Sequence, residues 1–249
     1  MSFSHKLVKK GDIVALSKNK IIIIFSIVLV FIIAIFINYN LLNNYNVTLQ
    51  YPLSNKIIVI DPGHGGIDPG KVGLYGEDEK YINLKISSRL KELLESAGAT
   101  VIMTREDNEG LYVESVQNRL WHKNEDMIKR RRLIRDSDGD IMVSIHMNSY
   151  PDSRIFGAQT FYLKGDESSE KLGKLVQEEL VEISFKFNKR EAKANDTYFI
   201  LKGNDMPSLV IECGFLSNVE EEQMLNEEEY QKKLAWAILK GIVRYFYEQ

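Results

Sequence analysis

The chain has one cysteine, Cys213, among its 249 residues. A single thiol cannot form an intrachain disulfide, so a stable fold has to rely on its hydrophobic core. Hydrophobic residues make up 44% of the chain, enough for one domain of ordinary size together with an additional segment. Cys213 follows Glu212, and a neighbouring carboxylate raises the pKa of a thiol. We therefore expect Cys213 to be a small buried side chain and not a nucleophile.

Clustered positive charge is also scarce. The net charge of the whole chain is −3, although residues 1–20 contain five lysines and only one aspartate. The rest of the chain is therefore acidic, and we expect no nucleic-acid partner. The one basic run, residues 129–132, lies in a predicted helix with acidic neighbours. Most of this run is expected to form a solvated helix face.

A long apolar segment lies near the N-terminus, where residues 21–37 are apolar except for Ser26. As a helix this segment is about 26 Å long, close to the hydrocarbon thickness of a bilayer. Lysines precede it and the next basic residue is Lys56, so the positive-inside rule places residues 1–20 in the cytoplasm and the C-terminal part outside. A cleaved signal peptide is the alternative. No small-residue cleavage motif follows the segment, and we favour an uncleaved anchor.

After a polar tether at residues 38–54, short apolar runs alternate with segments of helical periodicity. The predicted strands are residues 57–60, 100–104, 141–145, 157–163, 197–201 and 207–211. The predicted helices include residues 82–94, 127–137, 168–186 and 230–247. Between them, the polar residues 106–126 are irregular and suit a flap over a site. The alternation predicts an α/β fold: one layered domain at residues 55–249, with a mostly parallel twisted sheet flanked by helices.

Three of the predicted strands are nearly continuous apolar runs, which is typical of strands buried on both faces of a parallel sheet. The first is followed by His64, the second by His146 and the third by Glu212. In open α/β sheets, ligands bind at the carboxyl ends of the strands. The chain has only four histidines, so two of them at this edge together with a carboxylate indicate a metal and a general base.

A catalytic zinc site uses three protein ligands and leaves the fourth position to water. His64 and His146 supply two ligands, and either Glu77 or Glu79 could supply the third. Glu79 lies three residues before Ile82 on the inward stripe of the predicted helix, so helical periodicity favours Glu79. Each histidine alone is equally consistent with a structural role, as a cap in a loop or as a buried ring bonded to backbone.

Glu212 ends an apolar strand, where a buried carboxylate is unfavourable unless it is paired, protonated or near a metal. It is therefore the candidate for the catalytic carboxylate. A structural salt bridge to an arginine or lysine is the alternative.

Four motifs together resemble the type 3 N-acetylmuramoyl-L-alanine amidases, which are zinc-dependent peptidoglycan hydrolases. They are Asp-Pro-Gly-His-Gly-Gly at residues 61–66, Glu-Lys and Asn-Leu within residues 79–84, Ser-Ile-His-Met-Asn-Ser at residues 144–149 and Glu-Cys-Gly-Phe-Leu-Ser-Asn at residues 212–218. The resemblance covers about residues 56–247. Within the family, the N-terminal hydrophobic segment and residues 157–162 and 240–246 are most similar to the germination-specific amidases of the spore cortex.

The resemblance implies a role for each matching residue. The zinc ligands that it implies are His64, Glu79 and His146, and the catalytic carboxylate is Glu212. It selects Glu79 over Glu77. Asn148 and Arg130 are the candidates for substrate binding. For Arg130, an ordinary arginine on a helix surface is the alternative.

The resemblance also implies a reaction and a partner. The reaction is hydrolysis of the amide between N-acetylmuramic acid and L-alanine in peptidoglycan, in the spore cortex as a step towards the muramic δ-lactam. The partner that it implies is the peptidoglycan substrate. The apolar segment at residues 21–37 indicates the membrane as a second partner, and the intact site residues are also compatible with an enzyme that needs an activator protein. Two alternatives stay open: another zinc peptidase acting on peptidoglycan, and a non-catalytic wall-binding protein.

Overall fold

The computed structural model describes residues 18–44, 51–111, 119–184 and 188–248. Contacts divide the chain into two compact units, Met1–Leu49 and Gln50–Gln249. In the first unit, helix α1 (Lys18–Asn44) contains the predicted apolar segment and continues through residues 38–44 of the predicted tether. Its part from Lys18 to Phe36 is long and apolar enough to cross a membrane, a property that signal sequences share.

The second unit is an α/β domain, as predicted. Its strands are β1 (Ile57–Pro62), β2 (Thr100–Met103), β3 (Ile141–Asn148), β4 (Gln159–Tyr162), β5 (Lys193–Ala194) and β6 (Ser208–Phe215). Its helices are α2 (Glu79–Ser96), α3 (Arg119–Arg135), α4 (Glu167–Glu182), α5 (Val219–Leu225) and α6 (Glu228–Tyr247). The strand order is β2-β1-β3-β6-β4-β5. Strands β2, β1, β3 and β6 are parallel, and β4 is antiparallel to β6.

The central strands are buried on both faces, because alternate residues of each strand enter different clusters. Ile58 and Ile60 of β1 face the larger core, where α2, α4 and α6 cover the sheet. Val59 faces a smaller cluster on the other side, together with Ile134 of α3. Cys213 is fully buried in the larger core, and burial is the main cause that raises the pKa of its thiol. The prediction of a buried, unreactive thiol agrees with this placement.

Helix α3 begins at Arg119, so the start of this helix predicted near residue 127 is wrong. The last part of the predicted irregular segment is therefore helical, while its residues 112–118 lie outside the described ranges. The buried positions of α3 recur every four residues, at His122, Asp126, Arg130 and Ile134. Three of these side chains are polar. A search for apolar periodicity therefore cannot detect the first half of this helix.

The predicted strand at residues 197–201 is wrong. Phe199–Leu201 form a short 3₁₀ helix, and the local strand is β5 at Lys193–Ala194. Ile200 and Leu201 are consecutive residues and both are buried in the smaller cluster. A strand would turn consecutive side chains to opposite faces, so this packing requires a turn. The turn also determines where Tyr198, the residue before it, is placed.

Candidate metal centre and catalytic carboxylate

His64 lies two residues after β1 in a glycine-rich loop and has a positive φ of 62°. A non-glycine residue with this backbone conformation carries strain of about 1 kcal/mol or more, so the surrounding contacts have to hold it. Its Nδ1 lies 2.8 Å from Asp68 Oδ2, and Lys123 Nζ is 3.0 Å from the same carboxylate oxygen. Its Nε2 is thereby turned towards Glu79, with Oε1 at 3.1 Å.

Glu79 is the first residue of α2, and its side chain points into the domain. Its Oε1 accepts a hydrogen bond from Met147 N at 3.0 Å, and its Oε2 accepts one from Lys71 N at 2.8 Å. Glu77 differs, because it pairs with Lys85 at the surface. The structure therefore places Glu79, and not Glu77, beside the histidines.

His146 completes the cluster from the end of β3, with Nδ1 at 3.0 Å from Glu79 Oε1. The two imidazole ring centroids are 4.9 Å apart and roughly perpendicular. One potential ligand atom from each of His64, Glu79 and His146 lies within 4.8 Å of the other two. Two imidazoles and one carboxylate are the donor set of a catalytic zinc site with an open fourth position. The residues present therefore fit a zinc ion.

Ionisable side chains in this cluster shift one another's pKa values. Burial alone would raise the pKa of Glu79, but hydrogen bonds and charge from His146 and His64 outweigh it and hold that pKa well below its usual value. Burial alone would lower the pKa of His64, but Asp68 and Glu79 raise it to about 9. A buried carboxylate that stays ionised beside two imidazoles provides the negative charge that a divalent cation requires.

Glu212 lies next to this cluster, because it is the register partner of His146 between the parallel strands β3 and β6. Its Oε1 accepts a hydrogen bond from the Tyr198 hydroxyl at 3.0 Å. Its Oε2 is buried and has no hydrogen-bond partner among the described residues. Burial raises the pKa of Glu212, and the charge of His146 opposes this rise. Within the described ranges no arginine or lysine pairs with Glu212, so the salt-bridge alternative finds no support there.

Arg130 is buried against Asp61 of β1 and does not lie on the helix surface, so the alternative of an ordinary surface arginine is wrong. Only 2% of it is exposed. Its Nη1 is 3.1 Å from Asp61 Oδ1 and its Nε is 2.9 Å from Asp126 Oδ2. Asp61 also accepts hydrogen bonds from the hydroxyls of Thr104 and Ser144. These contacts make Arg130 part of the support for the end of β1, which leads into the loop of His64.

Asn148 ends β3 at the same edge of the sheet, two residues beyond His146. The register between β3 and β6 shifts between these two residues. The side-chain oxygen of Asn148 accepts a hydrogen bond from Ser149 N at 2.8 Å, and its carbonyl oxygen accepts one from Leu216 N at 2.9 Å. The side chain is half-buried. This position is compatible with the predicted substrate contact, which stays a prediction.

A family model described as N-acetylmuramoyl-L-alanine amidase matches residues 58–244. The chain belongs to this family. The match covers all the residues of the cluster and Glu212. The family and the enzyme class that the sequence predicted are both confirmed.

Individual amidases are similar to this chain in sequence and in structure. The germination-specific N-acetylmuramoyl-L-alanine amidase of Bacillus subtilis is 40% identical over 199 residues, which are 80% of this chain and 83% of the relative. The CwlD amidase of Clostridioides difficile, solved in complex with the GerS lipoprotein, is 46% identical with a TM-score of 0.77, covering 78% of this chain and all of that one. An amidase structure from Clostridium difficile 630 is 30% identical, with a TM-score of 0.67 and coverage of 78% and 98%.

The candidate site also has close contacts from residues to which the sequence patterns assigned no role. Gly63 packs against His146, because a Cβ at Gly63 would lie 2.2 Å from the Cε1 atom of that ring. Gly70 has a φ of 69°, and its Cβ would lie 2.5 Å from Glu79 Oε2. Asp68 lies four residues after His64 in a polar loop, a spacing that could have suggested it. For Tyr198 the sequence contains no such signal.

Proposed function

We propose that this amidase hydrolyses the amide bond between the lactyl group of N-acetylmuramic acid and L-alanine, in a zinc-dependent reaction. The observation that carries the proposal is the convergence of His64, Glu79 and His146 beside Glu212. Family membership supports the substrate bond, and the donor set supports the metal. In this proposal His64, Glu79 and His146 hold the ion.

When bound there, zinc supplies Lewis-acid polarisation of the scissile carbonyl and lowers the pKa of a water molecule to about 7. The protein residues then have defined tasks. Glu79 stays ionised between the two histidines and keeps their ring nitrogens directed at one point. Asp68 holds Nδ1 of His64 and so leaves Nε2 facing the cluster. Such outer contacts orient metal ligands.

Glu212 acts as the proton carrier. Its Oε2 accepts a proton from the water that attacks the carbonyl carbon, and later returns it to the amide nitrogen as the C–N bond breaks. The products are the free lactyl carboxylate of the glycan and a stem peptide with a free L-alanine amine. Burial raises the pKa of Glu212, which suits both steps, because a carboxylate of raised pKa is a stronger base for the proton of the water and its acid form can still donate that proton.

The proposed substrate in the cell is spore cortex peptidoglycan. Similarity to the germination-specific amidase of Bacillus subtilis and to the CwlD amidase supports this assignment. Removal of the peptide exposes the muramic carboxyl, which a second enzyme could close into the muramic δ-lactam. Muropeptides from spores of a deletion strain should lack the lactam. If the lactam persists at wild-type levels, the cortex assignment is wrong.

The proposed location is the extracytoplasmic face of a membrane, with α1 as anchor. The length and apolar composition of α1 support this. An activator protein is part of the proposal, supported by the CwlD structure in complex with a lipoprotein. Fractionation of cells expressing the full chain tests the anchor: an uncleaved protein belongs in the membrane fraction, whereas a shorter protein outside it would indicate a cleaved signal.

The decisive experiment is a muropeptide digest by residues 47–249, with and without added zinc, analysed by mass spectrometry. Zinc-dependent release of intact stem peptides from muramic acid is the expected result. A peptidase would instead cut within the stem peptide. Absence of any cleavage by a protein that holds one zinc per chain, even with the candidate activator added, would support a non-catalytic role.

A further inference from the structure

Tyr198 is placed at the site by the 3₁₀ turn and not by any of the four motifs. It precedes Phe199–Leu201 and has extended backbone angles, with φ −65° and ψ 112°. Its ring packs against that of Phe161 on β4, with centroids 5.5 Å apart and planes tilted by 52°. Phe161 is itself buried in the smaller core cluster. The sheet therefore supports the Tyr198 ring, and its hydroxyl reaches Glu212.

The Tyr198 hydroxyl forms a hydrogen bond with only one of the two carboxylate oxygens of Glu212. Oε1 accepts the hydrogen bond from Tyr198, whereas Oε2 is buried without a partner among the described residues. A buried carboxylate oxygen without a partner is unfavourable unless something binds it. Oε2 is therefore the oxygen left for a water proton, and the contact with Tyr198 holds the carboxylate in that orientation.

The direction of the hydrogen bond is also defined. A phenol has an ordinary pKa of about 10, and burial and the charge of Glu212 raise the pKa of Tyr198 further, so the phenol keeps its proton. A phenol has a single O–H donor. Because this proton is directed at Oε1, it is not available to stabilise an oxyanion on the substrate.

We propose that Tyr198 is a positioning residue for Glu212, which fixes the carboxylate through Oε1 and presents Oε2 to the attacking water. The inference rests on the proposed role of Glu212 as proton carrier. Tyr198 does not contact the substrate in this scheme. Its loss should therefore slow the chemical step and leave substrate binding unchanged. Misplacement of a catalytic group by about 1 Å can lower the rate roughly 100-fold.

The first test is Tyr198→Phe in the full chain, which removes the hydroxyl and keeps the ring against Phe161. We expect kcat to fall about tenfold to 100-fold, with KM and zinc content unchanged. Tyr162→Phe is the matched control, because it removes a hydroxyl from a buried tyrosine of β4 that does not contact Glu212, and it should keep full kcat. A Tyr198→Phe protein with wild-type kcat, or with raised KM and unchanged kcat, overturns the proposal.

A double-mutant cycle distinguishes positioning from a general structural effect. Glu212→Asp keeps a carboxylate but withdraws it by one methylene from the Tyr198 hydroxyl. In that background, Tyr198→Phe should change kcat less than about twofold. An undiminished effect would show that Tyr198 acts elsewhere. If Glu212→Gln and Glu212→Asp both keep wild-type activity, the proposed role of Glu212 fails instead, which is a separate outcome.

A structural measurement completes the test, because it does not depend on enzyme activity. A crystal structure of Tyr198→Phe should show the Glu212 carboxylate rotated or in two orientations, with the backbone of β6 unmoved. The same structure of Tyr162→Phe should keep the single orientation. An unchanged Glu212 carboxylate in Tyr198→Phe would contradict positioning.

Discussion

His146 and Glu212 are register partners on the adjacent parallel strands β3 and β6. Their backbones are therefore neighbours although the residues are 66 positions apart in the chain. The sheet itself keeps the candidate proton carrier beside a candidate metal ligand. Both lie on strands rather than on loops, which gives their relative position the rigidity that a preorganised site requires.

Glu212→Gln should abolish most hydrolysis while retaining zinc. The amide oxygen can still accept the Tyr198 hydrogen bond, but the side chain can no longer accept a proton. We expect the rate of stem-peptide release from muropeptides to fall at least about 100-fold. Glu229→Gln on the exposed side of α6 is the matched control and should keep its rate. Activity of Glu212→Gln within tenfold of wild type would refute the role.

Glu79→Ala should lose the metal, whereas Glu77→Ala should retain it. Both residues are glutamates near the start of α2, but only Glu79 lies beside His64 and His146. Glu77 forms its ion pair with Lys85 at the surface. Metal analysis of the purified variants measures this directly. A stoichiometry near one zinc per chain in Glu79→Ala would exclude it as a ligand, and the same measurement applies to His64→Ala and His146→Ala.

Asp68→Asn should weaken zinc binding without removing it. Asp68 Oδ2 lies 2.8 Å from His64 Nδ1 and orients the ring. Loss of such an outer contact typically lowers metal affinity about tenfold to 100-fold. Competition with a chelator of known affinity measures the change. Asp152→Asn is a suitable control, since Asp152 pairs with Arg154 on the surface. Equal affinities for wild type and Asp68→Asn would rule out this orienting role.

Gly63→Ala should disrupt the site by direct overlap. The new Cβ would lie 2.2–2.6 Å from three atoms of the His146 ring. Overpacking of this kind costs about 1–3 kcal/mol, and the ring has to move to relieve it. We expect reduced zinc stoichiometry together with a lower Tm. Gly165→Ala meets no atom within 4 Å, and it should keep its zinc although the φ of 88° at that position strains an alanine. Full zinc occupancy in Gly63→Ala would contradict the close approach.

Arg130→Leu should destabilise the domain strongly, because it leaves the Asp61 carboxylate buried without its cation. Breaking a buried ion pair in this way costs about 3–5 kcal/mol. Denaturant unfolding measures it, with Arg132→Leu on the exposed face of α3 as control and an expected change within about 0.5 kcal/mol. A stable Arg130→Leu protein with a raised KM would instead favour the predicted substrate contact.

The same ion pair predicts acid sensitivity. Burial alone would raise the pKa of Asp61, but the charge of Arg130 and hydrogen bonds from Ser144 and Thr104 outweigh it and lower the pKa. A carboxyl with a lowered pKa in the folded state contributes stability above its unfolded pKa of about 3.9 and loses it as the pH falls through the folded value. The free energy of unfolding should therefore decrease below about pH 4. A flat profile from pH 5 to pH 2 would contradict this.

The sequence by itself determined the fold class and the edge at which the site forms. Apolar runs before His64, His146 and Glu212 indicated buried parallel strands, and the carboxyl ends of parallel strands meet at one edge. Helical periodicity also favoured Glu79 over Glu77, and the family resemblance selected it. The apolar runs and the helical periodicity are local properties of the sequence, and the shared edge follows from the parallel direction of the strands. All three can therefore be inferred from the sequence alone.

Only the tertiary structure decided how the remaining polar groups are paired. Arg130 was expected at a surface or a substrate, but it is buried because Asp61 and Asp126 satisfy its guanidinium. Tyr198 lies in a segment expected to be a strand, and the turn that places it results from packing of Ile200 and Leu201. Such pairings depend on contacts between distant segments. Local propensity and periodicity do not encode these contacts, because a buried polar side chain is stabilised by a specific partner and not by its position in a pattern.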